Sequence, residues 1–283
     1  MGKSALVLGS GGHAATAWEL GVLAGMVDVG VDVRRADVIV GTSAGAQVGV
    51  QISSGLTIEE LFQRQVDPDL QTKESAPPID FARWRAEFVR AREGPNDPRS
   101  MLKRFGALAL QVPAGAEAER RRMIAARLPL HTWPDRRLLL VAVDVASGER
   151  RAFDQTSGAD LVDAVTASCA MPGIWPSVAI GDRRYMDGGL YSIDNADLAL
   201  GCGRVLILTL PARVPPLCVV SLESATEALR HAGARVDVVH PDEASSAAFA
   251  SVGGNLLDPS VRGAAARAGR EQGRRIAKER LPL

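Results

Sequence analysis

The chain is poor in the residues that announce a cross-linked scaffold or a metal centre. Its 283 residues include three cysteines, Cys169, Cys202 and Cys218, odd in number and without a CxxC pair. Neither a disulfide framework nor a zinc site is expected from that spacing, and no metal or cofactor is anticipated. There are only four histidines, His13, His131, His231 and His240, so chemistry that needs an imidazole has few candidates. No run approaches the roughly eighteen apolar residues of a membrane span. The apolar stretch at the start is too short for a signal peptide, and Leu6 stands where a myristoylation pattern needs Ser or Thr. A cytoplasmic protein is expected, and peripheral contact with a membrane is compatible with it. Net charge is missing too. Thirty-three basic residues balance thirty-three acidic ones, so nothing calls for a nucleic-acid partner.

What is present suits one large α/β domain over residues 1–283, since 46% of the residues are hydrophobic. Ala5 to Leu8 reads as a strand running into Gly9-Ser10-Gly11-Gly12, and Thr16 to Val29 has apolar residues at helical spacing. Val38 to Val40 reads as a second buried strand, followed at once by an amphipathic helical pattern over Ala44 to Ser53. Thr57-Ile58-Glu59-Glu60 is a capping box. Residues 67–133 are richer in Arg, Glu and Pro and read as a helical insertion or lid, with helices at 80–92, 98–110 and 115–127. The core pattern resumes with strand 137–145 and a hairpin return at 150–153. Helix 159–168, strands 177–180 and 183–186, and strands 205–210 and 235–239 follow, with a basic helix at 260–280. Strands alternating with helices imply a mostly parallel sheet covered on both faces.

Three stretches carry chemistry. Gly41-Thr42-Ser43-Ala44-Gly45 matches G-x-S-x-G and lies between a buried strand and a helix. That setting puts a serine on a strained turn at a helix N-terminus; an ordinary serine N-cap gives the same letters. The second stretch, Gly9-Ser10-Gly11-Gly12-His13-Ala14, lets backbone N–H groups approach an anion. It suits an oxyanion hole. It also satisfies the dinucleotide pattern G-x-G-x-x-A, but the acid expected after the second strand is missing. The third is Asp187-Gly188-Gly189, a carboxylate at a strand end with glycines after it. Asp187 is a candidate base for Ser43, although Asp-Gly-Gly is also a plain turn. A His-dependent α/β-hydrolase would use His231 or His240 instead.

Taken together and in this order, these three stretches resemble patatin-like phospholipases. A fourth, Ala167-Ser168-Cys169-Ala170-Met171-Pro172-Gly173, is similar to that family's helix-end segment before its aspartate. The likeness covers residues 5–55 and 138–210. It implies a three-layer α/β/α fold and hydrolysis of lipid acyl esters by a Ser–Asp dyad without histidine. It further implies Ser43 as nucleophile, Asp187 as proton acceptor and the N–H groups around Gly11 and Gly12 as the oxyanion hole. Gly9, Ser10, Gly41, Gly45, Gly188 and Gly189 would support the motifs. The glycine loop departs from the family pattern: it lacks a basic residue, and Ala15 stands where a glycine is usual, which would restrict the loop if that position needs positive φ. A lipid- or protein-binding member without turnover is therefore also open. Phe81, Trp84, Phe88, Ile174 and Trp175 are candidates for an acyl groove as well as for plain core. The arginines at 83, 85, 90 and 92 could meet lipid headgroups or only solvent.

Overall fold

The computed structural model describes residues 2–72, 80–94, 97–211 and 219–280. Eight strands form one sheet: β1 (Ser4–Leu8), β2 (Val38–Thr42), β3 (Arg137–Asp144), β4 (Arg150–Phe153), β5 (Val178–Ile180), β6 (Arg183–Asp187), β7 (Arg204–Leu208) and β8 (Arg235–Val239). Hydrogen-bonded neighbours run β5-β6-β3-β2-β1-β7-β8, and β4 also pairs with β3. β3, β2, β1, β7 and β8 are mutually parallel, while β4, β5 and β6 are joined antiparallel.

The described helices are α1 (Gly12–Asp28), α2 (Ala44–Gln51), α3 (Ile58–Val66), α4 (Phe81–Arg92), α5 (Pro98–Ala109), α6 (Glu117–Arg127), α7 (Leu161–Ser168), α8 (Leu222–His231), α9 (Glu243–Ala250) and α10 (Arg262–Arg280). Alternate strand residues feed two cores, as a period of two requires. Leu6, Leu8, Ile39, Leu138, Leu140, Leu206 and Leu208 pack towards α1, α2 and α7. Val7, Val38, Val40, Leu139, Val141, Val205 and Ile207 pack on the other side, against Ala196, Ala199, Ala225 and Leu229. The expected three layers and mostly parallel sheet are therefore observed. The second face is covered by α8, by a short 3₁₀ segment, Ala196–Ala199, and, beyond Val141, by α5, whose Leu102 and Phe105 pack with Val143 and Val145.

Several readings need correction. α1 begins at Gly12, inside the glycine loop, and not at Thr16. Neither α1 nor α2 is amphipathic: α1 is buried from Ala14 through Met26 and α2 along all eight residues. A helix enclosed on all sides needs no polar stripe. α8 and α9 were not anticipated. The basic helix α10 is no appendage. It lies along α1 with glycines at both sides of the crossing: a Cβ on Gly21 or Gly25 would sit 2.2 or 2.0 Å from the carbonyl oxygens of Ala266 or Arg270. One on Gly269 or Gly273 would meet those of Trp18 or Val22 at 2.5 or 2.1 Å. Small residues let the two backbones touch, and side-chain ridges would hold them apart.

The insertion helices form where expected, and their aromatics mostly build a local core. Phe88 lies between Trp84 and Phe105, with centroids at 5.0 and 4.6 Å, and this cluster packs with Val143, Val145 and Met186. Ile174 is buried, and Trp175 lies under the guanidinium of Arg120 at 3.7 Å. Of the arginines on α4, Arg83 pairs with Glu87 along the helix. The side chain of Phe81 and all of Cys218 fall outside the described residues.

Candidate active site

Ser43 sits between the end of β2 and the start of α2 with φ 55° and ψ −108°, one of two non-glycine residues at positive φ among the described residues. A backbone held there costs on the order of 1–3 kcal/mol, and such strain collects at functional turns. The flanking glycines make the turn sterically feasible. A Cβ on Gly45 would lie 2.1 Å from the Leu8 carbonyl oxygen, and one on Gly41 2.6 Å from that of Gly45.

The sheet register explains how Asp187 reaches this serine. Leu140 pairs with both Gly41 and Phe153, so β2 and β4 occupy opposite edges of β3. Ala142 pairs with both Arg151 and Asp187, so β6 lies opposite β4 as well. β2 and β6 therefore share one edge of β3, meeting end to end. The last pair of β2 is Thr42 with Val141, and the next residue along, Ala142, pairs with Asp187. The outcome is a hydrogen bond of 2.8 Å from Ser43 Oγ to Asp187 Oδ2 across 144 residues of sequence. Gly188 has no room for a side chain, because a Cβ there would be 2.2 Å from the Val141 carbonyl oxygen.

Three consecutive residues at the end of α7 hold both partners. Ser168 Oγ accepts the Ser43 N–H at 2.9 Å and donates to the Val141 carbonyl at 2.6 Å. The Cys169 thiol donates to the Ser43 carbonyl at 3.2 Å. Burial, followed by the charge of Asp187, pushes that thiol up to about 11, which keeps it a donor. The Ala170 carbonyl accepts the Asp187 N–H at 3.0 Å. Resemblance alone marked this stretch, and these bonds supply its physical reason.

Asp187 is fully buried. Burial raises its pKa to about 6 against the opposing effects of the Gly189 N–H, the Ser43 hydroxyl and Arg120. The Gly189 N–H reaches Oδ1 at 2.8 Å, leaving Oδ2 for the serine. A carboxylate near 6 is a far better proton acceptor than one near 3.8, yet it is ionised at neutral pH.

Across from this pair, Gly11 and Gly12 take φ of 151° and 61°, and among the described residues their N–H groups donate to no acceptor. Gly12 also opens α1, so that helix and α2 both present N-termini here, with partial positive charge. Ala15 lies within α1 at negative φ, so its replacement of a glycine imposes no strain on the loop. Ser10 donates its N–H to Ile193, and its hydroxyl lies beside Gly189. Gly9 donates to both Leu208 and the side chain of Glu19.

Sequence reasoning missed Glu19 and Asn195. Glu19 is completely enclosed, and burial raises its pKa well above the usual carboxylate range; it backs the loop by accepting the Gly9 N–H. Asn195, left-handed at φ 54°, donates to Thr42 Oγ1, Gly188 O and Ser192 O and so ties β2 to the turn after β6. A lone asparagine in a loop gives no signal of this before folding.

The histidines proposed as alternatives point elsewhere. His231 Nδ1 is 2.9 Å from the Glu227 carbonyl on its own helix, and His240 Nδ1 is 2.9 Å from that of Thr209. Ser43 Oγ bonds to a carboxylate.

The family model for patatin-like phospholipase matches residues 6–200, and the chain belongs to that family. Two solved structures are similar. VipD from Legionella pneumophila is 13% identical, with a TM-score of 0.38, covering 76% of this chain and 51% of VipD. The type III effector ExoU is 14% identical, with a TM-score of 0.40, covering 96% of this chain and 53% of ExoU. The chain thus spans about half the length of each. No curated protein matches.

Proposed function

We propose that this chain hydrolyses acyl ester bonds of lipids, as a phospholipase A or related lipid acyl hydrolase, through Ser43 and Asp187. The observation that carries the reading is the 2.8 Å bond from Ser43 Oγ to a buried carboxylate, made from a strained turn. Asp187 takes the serine proton as Oγ attacks the ester carbonyl. The N–H groups of Gly11 and Gly12 receive the developing oxyanion, where one such donor is worth roughly 10²–10³ in rate. The leaving alcohol departs with the proton, and water activated by Asp187 clears the acyl-enzyme. The whole chain acts as one catalytic domain, with the 67–133 insertion beside the site.

A fluorophosphonate probe tests this directly. Wild-type protein should be labelled, and Ser43→Ala should lose both labelling and ester turnover. Turnover that persists in Ser43→Ala would overturn the reading.

A further inference from the structure

The glycine loop is tied down from beneath by a residue that packing alone does not call for. Glu19 lies on α1, seven residues past Gly12 and so about 10 Å along the axis. Side chains on a helix lean towards its N-terminus, and this one reaches back to the start of the loop, where Oε1 accepts the Gly9 N–H at 2.9 Å. The loop, the first two turns of α1 and the Glu19 side chain thereby close a ring. That ring contains Gly11 and Gly12, at φ 151° and 61°, and glycine has the greatest backbone freedom of any residue. The other side of Gly9 is held as well, because its carbonyl accepts the N–H of Gly45 at 2.9 Å, two residues after the serine. Gly9 therefore connects α1, the glycine loop and the serine elbow.

The backbone does not require Glu19. The Gly9 N–H already donates to the Leu208 carbonyl at 2.9 Å, extending the β1–β7 ladder, so without Glu19 that donor keeps a partner. The carboxyl is fully enclosed, and the residues three and four places away on α1, Ala15, Thr16, Val22 and Leu23, are buried as well. Its second oxygen, Oε2, has no hydrogen-bond partner among the described residues. Ionised, that oxygen is an acceptor without a donor; protonated, it is a donor without an acceptor. Burial raises the pKa of the group against the smaller, opposing effect of the Gly9 N–H. A polar group enclosed with part of its bonding capacity unmet disfavours the folded state, and an apolar side chain of like size would not.

We infer that Glu19 is a positioning residue for the oxyanion hole: through Gly9 it fixes where the Gly11 and Gly12 N–H groups stand relative to Ser43, and it does so at a net cost to stability. It touches neither the substrate nor the reacting atoms and acts through the loop. The inference rests on the Ser43–Asp187 reading, because the loop receives an oxyanion only in that reaction. Two signs follow together. An apolar near-isostere at position 19 should weaken catalysis and leave the fold as stable or more so, the reverse of losing a packing residue. Glutamine, which keeps the Oε1 acceptor, should keep catalysis.

Full-length wild type, Glu19→Met, Glu19→Gln and Ser43→Ala are compared on p-nitrophenyl butyrate and in thermal melts. Glu19→Met should lose about tenfold or more in kcat, part of the roughly 10²–10³ attached to an oxyanion donor. Its KM should stay within about twofold of wild type, and its melting temperature should equal that of wild type or exceed it. Glu19→Gln should remain within about threefold of wild-type kcat. An alkyl trifluoromethyl ketone supplies a readout that a packing role does not move. Ser43 Oγ adds to its carbonyl carbon, the serine proton passes to Asp187, and the ketone oxygen becomes an oxyanion facing the loop. Its inhibition constant should rise in Glu19→Met by about the factor by which kcat falls, as expected for a mimic of the transition state.

Wild-type kcat in Glu19→Met would overturn the role. So would a Glu19→Met protein that melts lower or fails to fold, which would make Glu19 a packing residue. Glu19→Gln as slow as Glu19→Met would overturn it too, since the acceptor for Gly9 is then not what matters. Absence of turnover in wild type, or turnover that survives Ser43→Ala, would remove the hydrolase reading and the Glu19 role with it. With wild type active and Ser43→Ala inactive, any of the first three outcomes removes the Glu19 role alone.

Discussion

The sheet end that carries Ser43 and the α1–α10 crossing are both crowded with glycine, yet the two regions use it in opposite ways. At the sheet end, Gly11 and Gly12 take positive φ and turn N–H groups outward, beside a strained serine and a carboxylate enclosed against its own preference. At the helix crossing, Gly21, Gly25, Gly269 and Gly273 are ordinary helical residues that bring two backbones together. At that crossing the Trp18 indole donates to Gln272 at 2.8 Å, and Arg270 bridges Asp28 and Glu59 at 2.8 Å each. One region holds strain and a buried carboxylate at the candidate active site, and the other is built for close packing alone.

The sharpest test of the contrast is at the serine. Ser43→Ala should reduce turnover by about 10⁴-fold or more while leaving the melting temperature unchanged. Ser43→Gly should be equally inactive and more stable by about 1 kcal/mol, because glycine accepts φ 55°. A loss of stability in both would mean that the turn is a structural element and not a strained one.

Asp187 gives the next largest effect, together with a pH signature. Its folded pKa of about 6 lies above its unfolded value near 3.8. Activity that requires the carboxylate should therefore rise with pH through about 6. Stability should move the other way. Protonated Asp187 favours the native state, so its contribution is fully present below 3.8 and is lost as pH rises to about 6, on the order of 3 kcal/mol in all. Asp187→Asn should cut kcat by about 10³-fold and flatten both profiles in that window. Paired pH–rate and urea-unfolding measurements check both signs.

The helix crossing should respond in reverse. Gly25→Val places its Cβ against the Arg270 carbonyl, which the bare backbone leaves only 2.0 Å to accommodate. A destabilisation of about 2–4 kcal/mol by urea unfolding is expected, with fluorophosphonate labelling of the folded fraction unchanged. Labelling that falls in step with the mutation would show that the crossing positions the glycine loop through α1. The smallest effect belongs to Arg270→Ala, at about 1 kcal/mol or less for partly exposed ion pairs, read as a small shift in melting temperature.

Much of this was legible before folding. The glycine loop, the elbow and the Asp-Gly-Gly turn lie in short contiguous stretches, because each is a local backbone problem solved by small residues. The strand boundaries were close for the same reason: buried strands are continuous apolar runs. The helix α9 went unread because its small residues, with Phe249 as the one large side chain, give little periodic signal; α8 carries Leu222, Ala225 and Leu229 at helical spacing and was legible in principle. The pattern over Ala44 to Ser53 reads as amphipathic, and only the layers on either side show that α2 needs no polar face.

The chain's order of residues thus determined which groups are candidates for the chemistry and what local turns present them: a serine on a strand–helix elbow, an aspartate at a strand end, and glycines free to turn their N–H groups. Tertiary structure alone decided that the serine and aspartate meet, because that follows from β2 and β6 sharing one edge of β3, a pairing with no local trace. It alone decided the base strength of Asp187, which comes from burial by distant segments. It also brought the Glu19 carboxyl back to the Gly9 N–H beneath the glycine loop. Short-range sterics are written in neighbouring letters; register, enclosure and electric field arise only when distant segments are packed together.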